Sequence, residues 1–260
     1  MLNSNSPLSL ILMPATLSVA LISYNESHNL ARTLDSVKAI ANEIVLLDSG
    51  SSDSTVEIAK SYGAKVETLA WRGYVEQKNA LFALCTKDFI LNLDCDEVLS
   101  ESLVQEIQAV LNDPAYQGYV IRRYTHYLGK LLKHSWQPDK KLRLVKRAAQ
   151  PIWQGANVHE KLTIDGKTTV LTSPLIHYSY TSARQHFDKT VHYAELVADA
   201  AYQSGKPFRS YKLLINPAFA FLRMYVFRLG CLDGWRGFAA ASSSAFYTFL
   251  KYWFLWERQL

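Results

Sequence analysis

Two aspartates, Asp94 and Asp96, are the residues whose types and spacing most clearly suit chemistry. They follow the apolar run 89–93, and residues at positions i and i+2 of an extended chain point the same way, so both carboxylates can face one point. Clustered carboxylates repel each other unless a cation lies between them. Because Mg²⁺ and Mn²⁺ bind carboxylate oxygens and bridge phosphates, the pair predicts a divalent-metal site for a phosphorylated ligand. The alternative is a solvated acidic turn that caps the next helix.

Three other apolar runs near the N-terminus also end in polar residues. Segments 17–23, 43–48 and 64–69 read as buried strands, like 88–93, and helical patterns separate them. This alternation indicates βαβ units in a parallel sheet, whose strands end at a common edge where ligands bind. We therefore expect one site from the residues that follow the strands: Tyr24-Asn25-Glu26, Asp48-Ser49-Gly50, Ala70-Trp71-Arg72-Gly73 and Asp94-Cys95-Asp96-Glu97. No G-x-G-x-x-G or P-loop motif occurs, so neither dinucleotide nor P-loop phosphate binding is indicated.

The hydrophobic pattern changes after Asp113. Apolar and polar residues alternate as in half-exposed strands, predicted at 118–124, 141–145 and 161–164. Asp165-Gly166 signals a hairpin turn, and 182–204 reads as one long amphipathic helix. The chain thus combines a doubly covered sheet with a helical C-terminal part.

Composition and charge narrow the class of protein. The chain has 260 residues, of which 49% are hydrophobic and 20% charged, which is typical of an ordered protein with a sizeable core. Its three cysteines are widely spaced, which predicts neither a disulfide framework nor a zinc ribbon. The net charge of +5 is uneven, since 17–113 carries −8, 114–180 carries +8 and 181–260 carries +5. We expect the basic part to face an anionic membrane, a phosphorylated substrate or nucleic acid.

The two ends of the chain give no sign of a membrane span or a secretory signal. Residues 1–15 hold no Lys or Arg before their apolar run, so we interpret them as a short extension. No uninterrupted apolar segment reaches the roughly 18–20 residues that a membrane span needs.

Four short motifs together resemble those of the inverting glycosyltransferases of family 2. They are Ser-Tyr-Asn-Glu (23–26), Leu-Asp-Ser-Gly-Ser-Ser-Asp (47–53), Gln-Lys-Asn (77–79) and Leu-Asp-Cys-Asp-Glu (93–97). The resemblance looks closest to the bacterial lipopolysaccharide core β-1,4-glucosyltransferase branch, through Trp71-Arg-Gly73 and Asn157-Val-His-Glu-Lys-Leu162. It implies the A-type glycosyltransferase fold: an α/β, Rossmann-like, mostly parallel sheet with helices on both faces, here followed by an aromatic-rich helical extension.

The resemblance also implies a domain organisation. We expect an N-terminal extension at 1–16, a nucleotide-sugar transferase domain at 17–180 and a helical region at 181–260. Within the transferase domain, 17–113 would bind the donor and 114–180 the acceptor.

A UDP-sugar donor gives each motif a role. The resemblance implies that Tyr24, Glu26 and Asp48 hold uracil and ribose. Lys78 and Asn79 would line the nucleotide pocket, with Lys78 near the diphosphate. Asp94 and Asp96 would hold ribose and, through Mg²⁺ or Mn²⁺, the diphosphate. The alternatives are packing for Tyr24, helix capping for Asp48 and an ordinary surface lysine for Lys78, and we interpret Asp53 as a helix cap outside the site.

An inverting transfer needs a base that takes the proton of the acceptor hydroxyl. In family 2 this base is an acidic residue after the D-x-D motif, often in a Glu-Asp pair that this chain lacks. Between 114 and 180 the acidic residues are Asp139, Glu160 and Asp165. Asp165 belongs to a turn and Asp139 lies among lysines, so elimination and resemblance both select Glu160, with a surface pair to Lys161 as the alternative. His177 ends an apolar run and would complete the metal site, unless it is a core histidine.

The basic middle and the tail suggest the acceptor and the location. Aromatic faces stack on sugars and cations pair with phosphates, and aromatic, cationic helices lie in membrane interfaces. We expect a hexosyltransferase that moves glucose from UDP-glucose onto a heptose of the lipid-linked lipopolysaccharide core; donor and acceptor come wholly from the resemblance. We also expect peripheral attachment to the cytoplasmic face of the inner membrane, and no nucleic acid as partner. The alternatives are transfer to polyprenyl phosphate, a non-catalytic nucleic-acid-binding module, and a tail that only packs on the enzyme.

Overall fold

The computed structural model describes residues 13–155, 160–180 and 182–260, so most of the expected 1–16 extension lies outside the described residues. The chain forms two compact units. The first comprises the described residues up to Ile121 and Lys141–Pro174, and the second comprises Arg122–Lys140 and Leu175–Leu260. This division follows compactness and differs from the expected boundaries at 17–180 and 181–260, which stay a prediction about function.

Strands and helices alternate up to residue 93 as expected, and from there to residue 177 the chain forms mainly strands. The strands are β1 (Leu17–Ser23), β2 (Glu43–Asp48), β3 (Lys65–Thr68), β4 (Phe89–Leu93), β5 (Glu97–Leu99), β6 (Gly118–Tyr127), β7 (Lys130–Leu131), β8 (Lys140–Lys146), β9 (Ile152–Gln154), β10 (Lys161–Thr163) and β11 (Thr168–His177). The helices among them are α1 (Ser27–Val37), α2 (Thr55–Ser61), α3 (Tyr74–Leu84) and α4 (Glu101–Asn112), and a 3₁₀ turn covers Arg147–Ala149. Among the strands, β5, β7, β9 and β11 were not predicted.

The sheet is mixed, with its parallel half at the N-terminal end of the chain. The strand order is β3-β2-β1-β4-β8-β6-β11-β5, and β7 pairs with the end of β6. β3, β2, β1 and β4 are parallel neighbours, whereas β8 runs antiparallel to β4. Ser23 lies opposite Asp48 and Leu21 opposite Leu93, so these strands end at one edge as predicted. The expected α/β fold is confirmed.

Burial on both faces explains why the central strands read as continuous apolar runs. β1, β2 and β4 are buried along nearly their whole length, and α3 packs against β1, β2 and β9. Leu30, Leu34 and Val37 of α1 are fully buried, as their helical spacing predicts. The prediction of a hairpin at Asp165-Gly166 is wrong, because the strands on either side of this turn, β10 and β11, do not pair with each other. β10 pairs with β9, and β11 lies in the main sheet between β6 and β5.

The second unit is mainly helical. Its helices are α5 (Ala183–Gln203), α6 (Lys212–Leu222) and α7 (Trp235–Glu257), with a π-helical turn at Arg223–Phe227 and a 3₁₀ turn at Gly230–Asp233. Ser182 caps α5 as its Oγ accepts a hydrogen bond from the Gln185 amide. Both α5 and α6 pack on α7. A Cβ at Gly237 would lie 1.8 Å from the carbonyl oxygen of Gly230, so only glycine permits this approach. Among the described residues, no helix combines the length and apolarity of a membrane span.

A neutral hydrogen-bond network joins the elements of the second unit. His186 is 3% exposed, and its Nδ1 lies 2.8 Å from Tyr127 Oη and its Nε2 2.7 Å from Ser243 Oγ. Burial lowers the pKa of His186 to about 4. Asp233, also 3% exposed, accepts hydrogen bonds from the main-chain amides of Lys133, His134 and Ser135. Burial alone would raise the pKa of Asp233, but these hydrogen bonds outweigh burial and lower the pKa.

Candidate active site

The loop after β2 is organised by the carboxylate of Asp48, which is 1% exposed. Its Oδ1 accepts hydrogen bonds from Ser23 Oγ at 2.8 Å and Ser51 Oγ at 2.6 Å, and its Oδ2 accepts from the amides of Gly50 and Ser51. Burial alone would raise the pKa of Asp48, but these hydrogen bonds outweigh it and lower the pKa. The residue is therefore a charged anchor of the loop, and its expected contact with uracil or ribose stays a prediction.

The loop after β1 is held to the loop after β2 by hydrogen bonds in both directions. The Asn25 amide donates to Ser51 Oγ, and Asn25 Oδ1 accepts from the Ser52 amide, both at 2.8 Å. Asn25 has φ +53°, a left-handed conformation that asparagine tolerates. Tyr24 beside it is 60% exposed, so it is not packed in the core. This fixed turn leaves the Tyr24 ring accessible to a ligand at the sheet edge.

The beginnings of α1 and α2 share one cap. Asp53 Oδ2 accepts a hydrogen bond from the Ser27 amide, and Asp53 Oδ1 accepts from the amide and hydroxyl of Thr55. Thr55 Oγ1 in turn accepts from the Glu26 amide at 2.8 Å, and Glu26 Oε2 accepts from Asn29 Nδ2 at 3.1 Å. The interpretation of Asp53 as a cap is confirmed, and it serves two helices, since it joins the loops that carry Glu26 and Asp48.

The loop after β4 depends on a buried arginine from β8. Arg143 is 3% exposed, and its Nη2 lies 2.7 Å from Asp94 Oδ2 and 2.5 Å from Glu97 Oε1. Glu97 is fully buried, and its Oε2 accepts a hydrogen bond from the Asp94 amide. Burial alone would lower the pKa of Arg143, but the charges of Asp94 and Glu97 outweigh it and raise the pKa. Arg143 therefore fixes the acidic motif in place.

The loop after β4 also contains a buried thiol, that of Cys95, between Asp94 and Asp96. Burial raises the pKa of Cys95 well above its usual range, and nearby negative charges raise it further: those of Glu26, Asp96, Asp94 and Asp48. Cys95 donates to the carbonyl oxygen of Ile22, and its own carbonyl oxygen accepts from Thr33 Oγ1. Cys95 thus ties the loop after β4 to the end of β1 and to α1, at the edge where the parallel strands end.

Lys78 and Glu160 form a shielded ion pair beside these loops. Lys78 Nζ lies 3.0 Å from Glu160 Oε1, and the two side chains are 6% and 17% exposed. Lys78 Nζ also lies 4.2 Å from the centroid of the Trp153 ring, a cation–π contact. Glu160 thus pairs with Lys78 of α3 and not with Lys161, the alternative considered for it, and Lys78 is buried, unlike an ordinary surface lysine. The structure thus brings together the lysine and the glutamate that the sequence selected separately.

The amide of Asn79 serves the main chain. Asn79 Nδ2 donates to the carbonyl oxygen of Trp153 and Asn79 Oδ1 accepts from the Trp153 amide, both at 2.9 Å. These two bonds hold β9 next to α3, and so hold Trp153 against Lys78. The expected contact of Asn79 with the nucleotide stays a prediction. Residues 156–159 of the motif before Glu160 lie outside the described residues.

The donor set fits a cation that is shared with a diphosphate. Within 13–155, 160–180 and 182–260, no three His, Cys, Asp or Glu side chains form a group that could hold a metal ion. Mg²⁺ does not need such a cage, because one or two carboxylates and substrate phosphates commonly complete its shell. Asp94 and Asp96 can supply those carboxylates. His177 ends β11 in the second unit with Nδ1 2.7 Å from Ser179 Oγ, and its expected role as a metal ligand stays a prediction.

Two residues of the region, Arg143 and Trp153, were not selected from the sequence, and Glu97 was expected at the sheet edge without a role of its own. The signal for Arg143 was its place in an alternating strand two residues before Val145, which predicts a shared buried face. The signal for Glu97 was weaker, because an acid after D-x-D reads equally well as solvent-exposed. Trp153 had no local signal, since its role comes from contacts with α3.

Comparisons with known proteins agree with this geometry. The family model described as Glycosyl transferase family 2 matches residues 18–173, more than half of the chain. The lipopolysaccharide core biosynthesis glycosyltransferase LpsC of Rhizobium meliloti is 31% identical over 247 residues, 90% of this chain and 89% of LpsC. An uncharacterized glycosyltransferase of Rickettsia typhi is 32% identical over 247 residues, 90% of this chain and 85% of that protein.

Two solved structures share the fold. Staphylococcus aureus TarS in complex with UDP-GlcNAc superposes with a TM-score of 0.50 and 15% identity, over 87% of this chain and 79% of that chain. Glucosyl-3-phosphoglycerate synthase of Mycobacterium tuberculosis in complex with phosphoglyceric acid has a TM-score of 0.50 and 18% identity, over 74% of this chain and 81% of that chain.

Proposed function

Because this chain belongs to glycosyl transferase family 2, we propose that it is an inverting enzyme that moves glucose from UDP-glucose onto a heptose of the lipopolysaccharide inner core. The observation that carries the proposal is that β1, β2 and β4 end at one edge of the sheet, where hydrogen bonds join the acidic loops that follow them. The similarity to LpsC over 90% of the chain supports lipopolysaccharide core as the acceptor class. The complex of TarS with UDP-GlcNAc is consistent with a uridine nucleotide as the donor's carrier.

On the donor side, the exposed ring of Tyr24 and the carboxylate of Glu26 would bind uracil and ribose at the edge of the sheet. Asp48 anchors the neighbouring loop and would present its remaining surface to the same groups. Asp94 and Asp96 would hold ribose and a divalent ion. That ion would stabilise the negative charge that grows on the departing diphosphate.

On the acceptor side, Glu160 would take the proton from the attacking hydroxyl. An ion pair holds the carboxylate of Glu160 in place. Lys78 supplies that pair and also fixes the direction of the carboxylate, and the Trp153 ring shields the lysine from water. Lys78 would therefore position the base, in addition to its expected role near the diphosphate.

The proposed location follows from the acceptor. Lipopolysaccharide core is carried on a lipid, so the enzyme would work at the cytoplasmic face of the inner membrane. The basic region 114–180 and the aromatic tail would face that surface and the phosphorylated core, and the acidic region 17–113 would face the metal-bound donor.

A screen of nucleotide-sugars tests the proposal. We expect UDP-glucose with Mn²⁺ or Mg²⁺ to raise the melting temperature, because a ligand that binds only the folded state stabilises it. We also expect transfer to a heptose-terminated core, and its loss in Asp96→Ala. The matched control is Glu101→Ala, an acid on α4 outside the site. Full turnover by Asp96→Ala would refute the assignment of Asp96 to the metal site. If a different nucleotide-sugar alone raised the melting temperature, that compound would replace UDP-glucose as the proposed donor.

A further inference from the structure

The α6 helix and the π-helical turn after it expose an apolar face. Six side chains that are 47–76% exposed recur at helical spacing along this face: Leu214, Ile215, Phe219, Leu222, Val226 and Phe227. We call these six residues the apolar stripe. From end to end it extends for about 20 Å, at a rise of about 1.5 Å per residue. A stripe of this length is unlike the single exposed leucines that occur on every protein surface.

The opposite face of the same helix is also apolar. Ala220 and Met224 are buried in the second unit, where α6 packs on α7. A helix that is hydrophobic all round is normally buried on every side, in a protein core or in lipid. Because α6 has a neighbour on one side only within the described part of the chain, its exposed side calls for an apolar partner.

The charges around the stripe select the chemistry of that partner. Residues 206–256 contain seven Lys or Arg and a single acidic residue, Asp233. Asp233 is 3% exposed and accepts three main-chain hydrogen bonds, so it presents no charge to a partner. Arg223 and Arg228 lie on or beside the stripe and are exposed. The surface is thus apolar and cationic together.

We propose that the apolar stripe inserts into the interface of an anionic lipid bilayer, with Arg223 and Arg228 on the lipid phosphates. Leu229, Leu232 and Trp235 continue the exposed apolar surface beyond the stripe, and tryptophan favours the headgroup level of a bilayer. This inference deepens the proposed function, since it rests on the membrane location proposed there. It assigns attachment to α6 and the turn after it, and it assigns the middle of α7 to internal packing, because Ala240, Ala241 and Ser243 are buried.

A second copy of the chain fits this surface less well than lipid. Most homodimers are two-fold symmetric, so each subunit would place the same cationic patch against the other. Like charges across an interface are unfavourable, and 206–256 offers no exposed acid to pair with them. An anionic bilayer removes this repulsion and accepts the apolar side chains.

Vesicle flotation with the full-length protein tests the proposal. We expect wild type to float with vesicles of phosphatidylcholine and phosphatidylglycerol and to remain unbound with phosphatidylcholine alone. Leu214→Gln combined with Phe227→Gln should weaken binding at least about tenfold, because each side chain loses its transfer into the apolar interface. Arg223→Gln combined with Arg228→Gln should weaken it about fivefold for each arginine, and added salt should reduce wild-type binding further.

The matched control changes two exposed apolar residues of α5, Tyr193→Gln and Leu196→Gln, and should float like wild type. Equal melting temperatures for the variants would exclude unfolding as a cause. Undiminished flotation of the Leu214→Gln/Phe227→Gln variant would overturn the proposal. The proposal would also be overturned if wild type did not bind vesicles but formed a dimer, and the Leu214→Gln/Phe227→Gln variant were monomeric. That result would assign the stripe to a contact with a second copy of the chain.

Flotation does not depend on sugar transfer, so the two proposals can fail separately. If the protein bound lipid through the stripe but used no nucleotide-sugar, the proposed function would be refuted and the proposed membrane surface would still hold. The opposite outcome is a wild-type protein that does not bind vesicles but transfers glucose from UDP-glucose to a soluble core oligosaccharide, as does the stripe variant. That result would refute the membrane surface and leave the proposed function standing.

Discussion

The two compact units use their charged side chains in opposite ways. In the first unit, Asp48, Glu97 and Arg143 are buried, and they hold the loops at the sheet edge by ion pairs and hydrogen bonds. In the second unit most charged side chains are exposed, the buried His186 is neutral, and Asp233 is a buried carboxylate that main-chain amides hold. Charged side chains of the first unit therefore fix the loops that are expected to bind the ligand, whereas those of the second unit remain available for a partner at the surface.

The difference also concerns how buried titratable groups are stabilised. Arg143 is held by opposite charges, those of Asp94 and Glu97. His186 is held by hydroxyl groups, and it packs among the rings of Tyr127, Trp136 and Tyr180. A charge pair fails when one partner is removed, whereas a neutral network fails when its histidine gains a proton. The following predictions test this contrast.

The largest effect is expected at the ion pair of the first unit that lies beside the acidic loops. Glu160→Gln keeps the shape of the side chain but removes its ability to accept a proton. Loss of a general base costs about 10²–10⁴-fold in rate, so we expect kcat to fall by that factor while the melting-temperature shift with UDP-glucose remains. Asp165→Asn, in the turn after β10, is the control and should keep its activity. A Glu160→Gln enzyme of normal kcat would show that this pair is only structural.

Removal of the buried arginine should give the next largest effect. Arg143→Met leaves Glu97 buried without a counter-charge, and breaking a buried pair in this way costs about 3–5 kcal/mol. We expect this loss in the free energy of unfolding, measured by urea denaturation. Lys38→Met breaks the exposed pair with Asp35 and should leave the free energy of unfolding nearly unchanged, because water and salt screen such a pair. Equal losses in the two variants would contradict the special role of buried charge in the first unit.

Acid should expose the neutral character of the second unit. The pKa of His186 is lowered from 6.5 to about 4, so between these values the unfolded chain binds a proton that the folded protein does not. The contribution to stability is therefore complete above pH 6.5 and declines as the pH falls toward 4, by up to about 3 kcal/mol.

A series of unfolding curves across that pH range measures this decline. His186→Gln, which lacks the titrating group, should show a flatter pH dependence than wild type. His192→Gln changes an exposed histidine of the same helix and should keep the wild-type slope. A His186→Gln slope as steep as that of wild type would assign the acid sensitivity to other groups.

Much of the first unit could be predicted from the sequence, for a local reason. Buried parallel strands read as apolar runs because both faces are covered, and the polar residues at their ends mark the ligand edge. Thus β1, β2 and β4 and the loops with Asp48 and Asp94 were expected within a residue or two. The bonds of Asp53 to Thr55 at the start of α2 were expected as well, because they are local in sequence, whereas its bond to Ser27 of α1 was not.

The pairs that hold the site were decided by contacts between distant parts of the chain. Lys78 and Glu160 are 82 positions apart, and Arg143 reaches Asp94 only because β8 is antiparallel to β4 in one register. Hydrophobic periodicity gives a strand's faces but not its partner, so β9 was also not expected as the partner of β10.

The sequence by itself determined the order of the first four strands and three helices, the polar edge where those strands end, and the apolar, cationic tail. The tertiary structure alone decided which part of that tail faces outward. In α6 nearly every residue is apolar, so periodicity cannot separate a buried face from an exposed one. Packing against α7 buries Ala220 and Met224 and leaves the apolar stripe on the surface, because a helix can bury only the side that meets its neighbour.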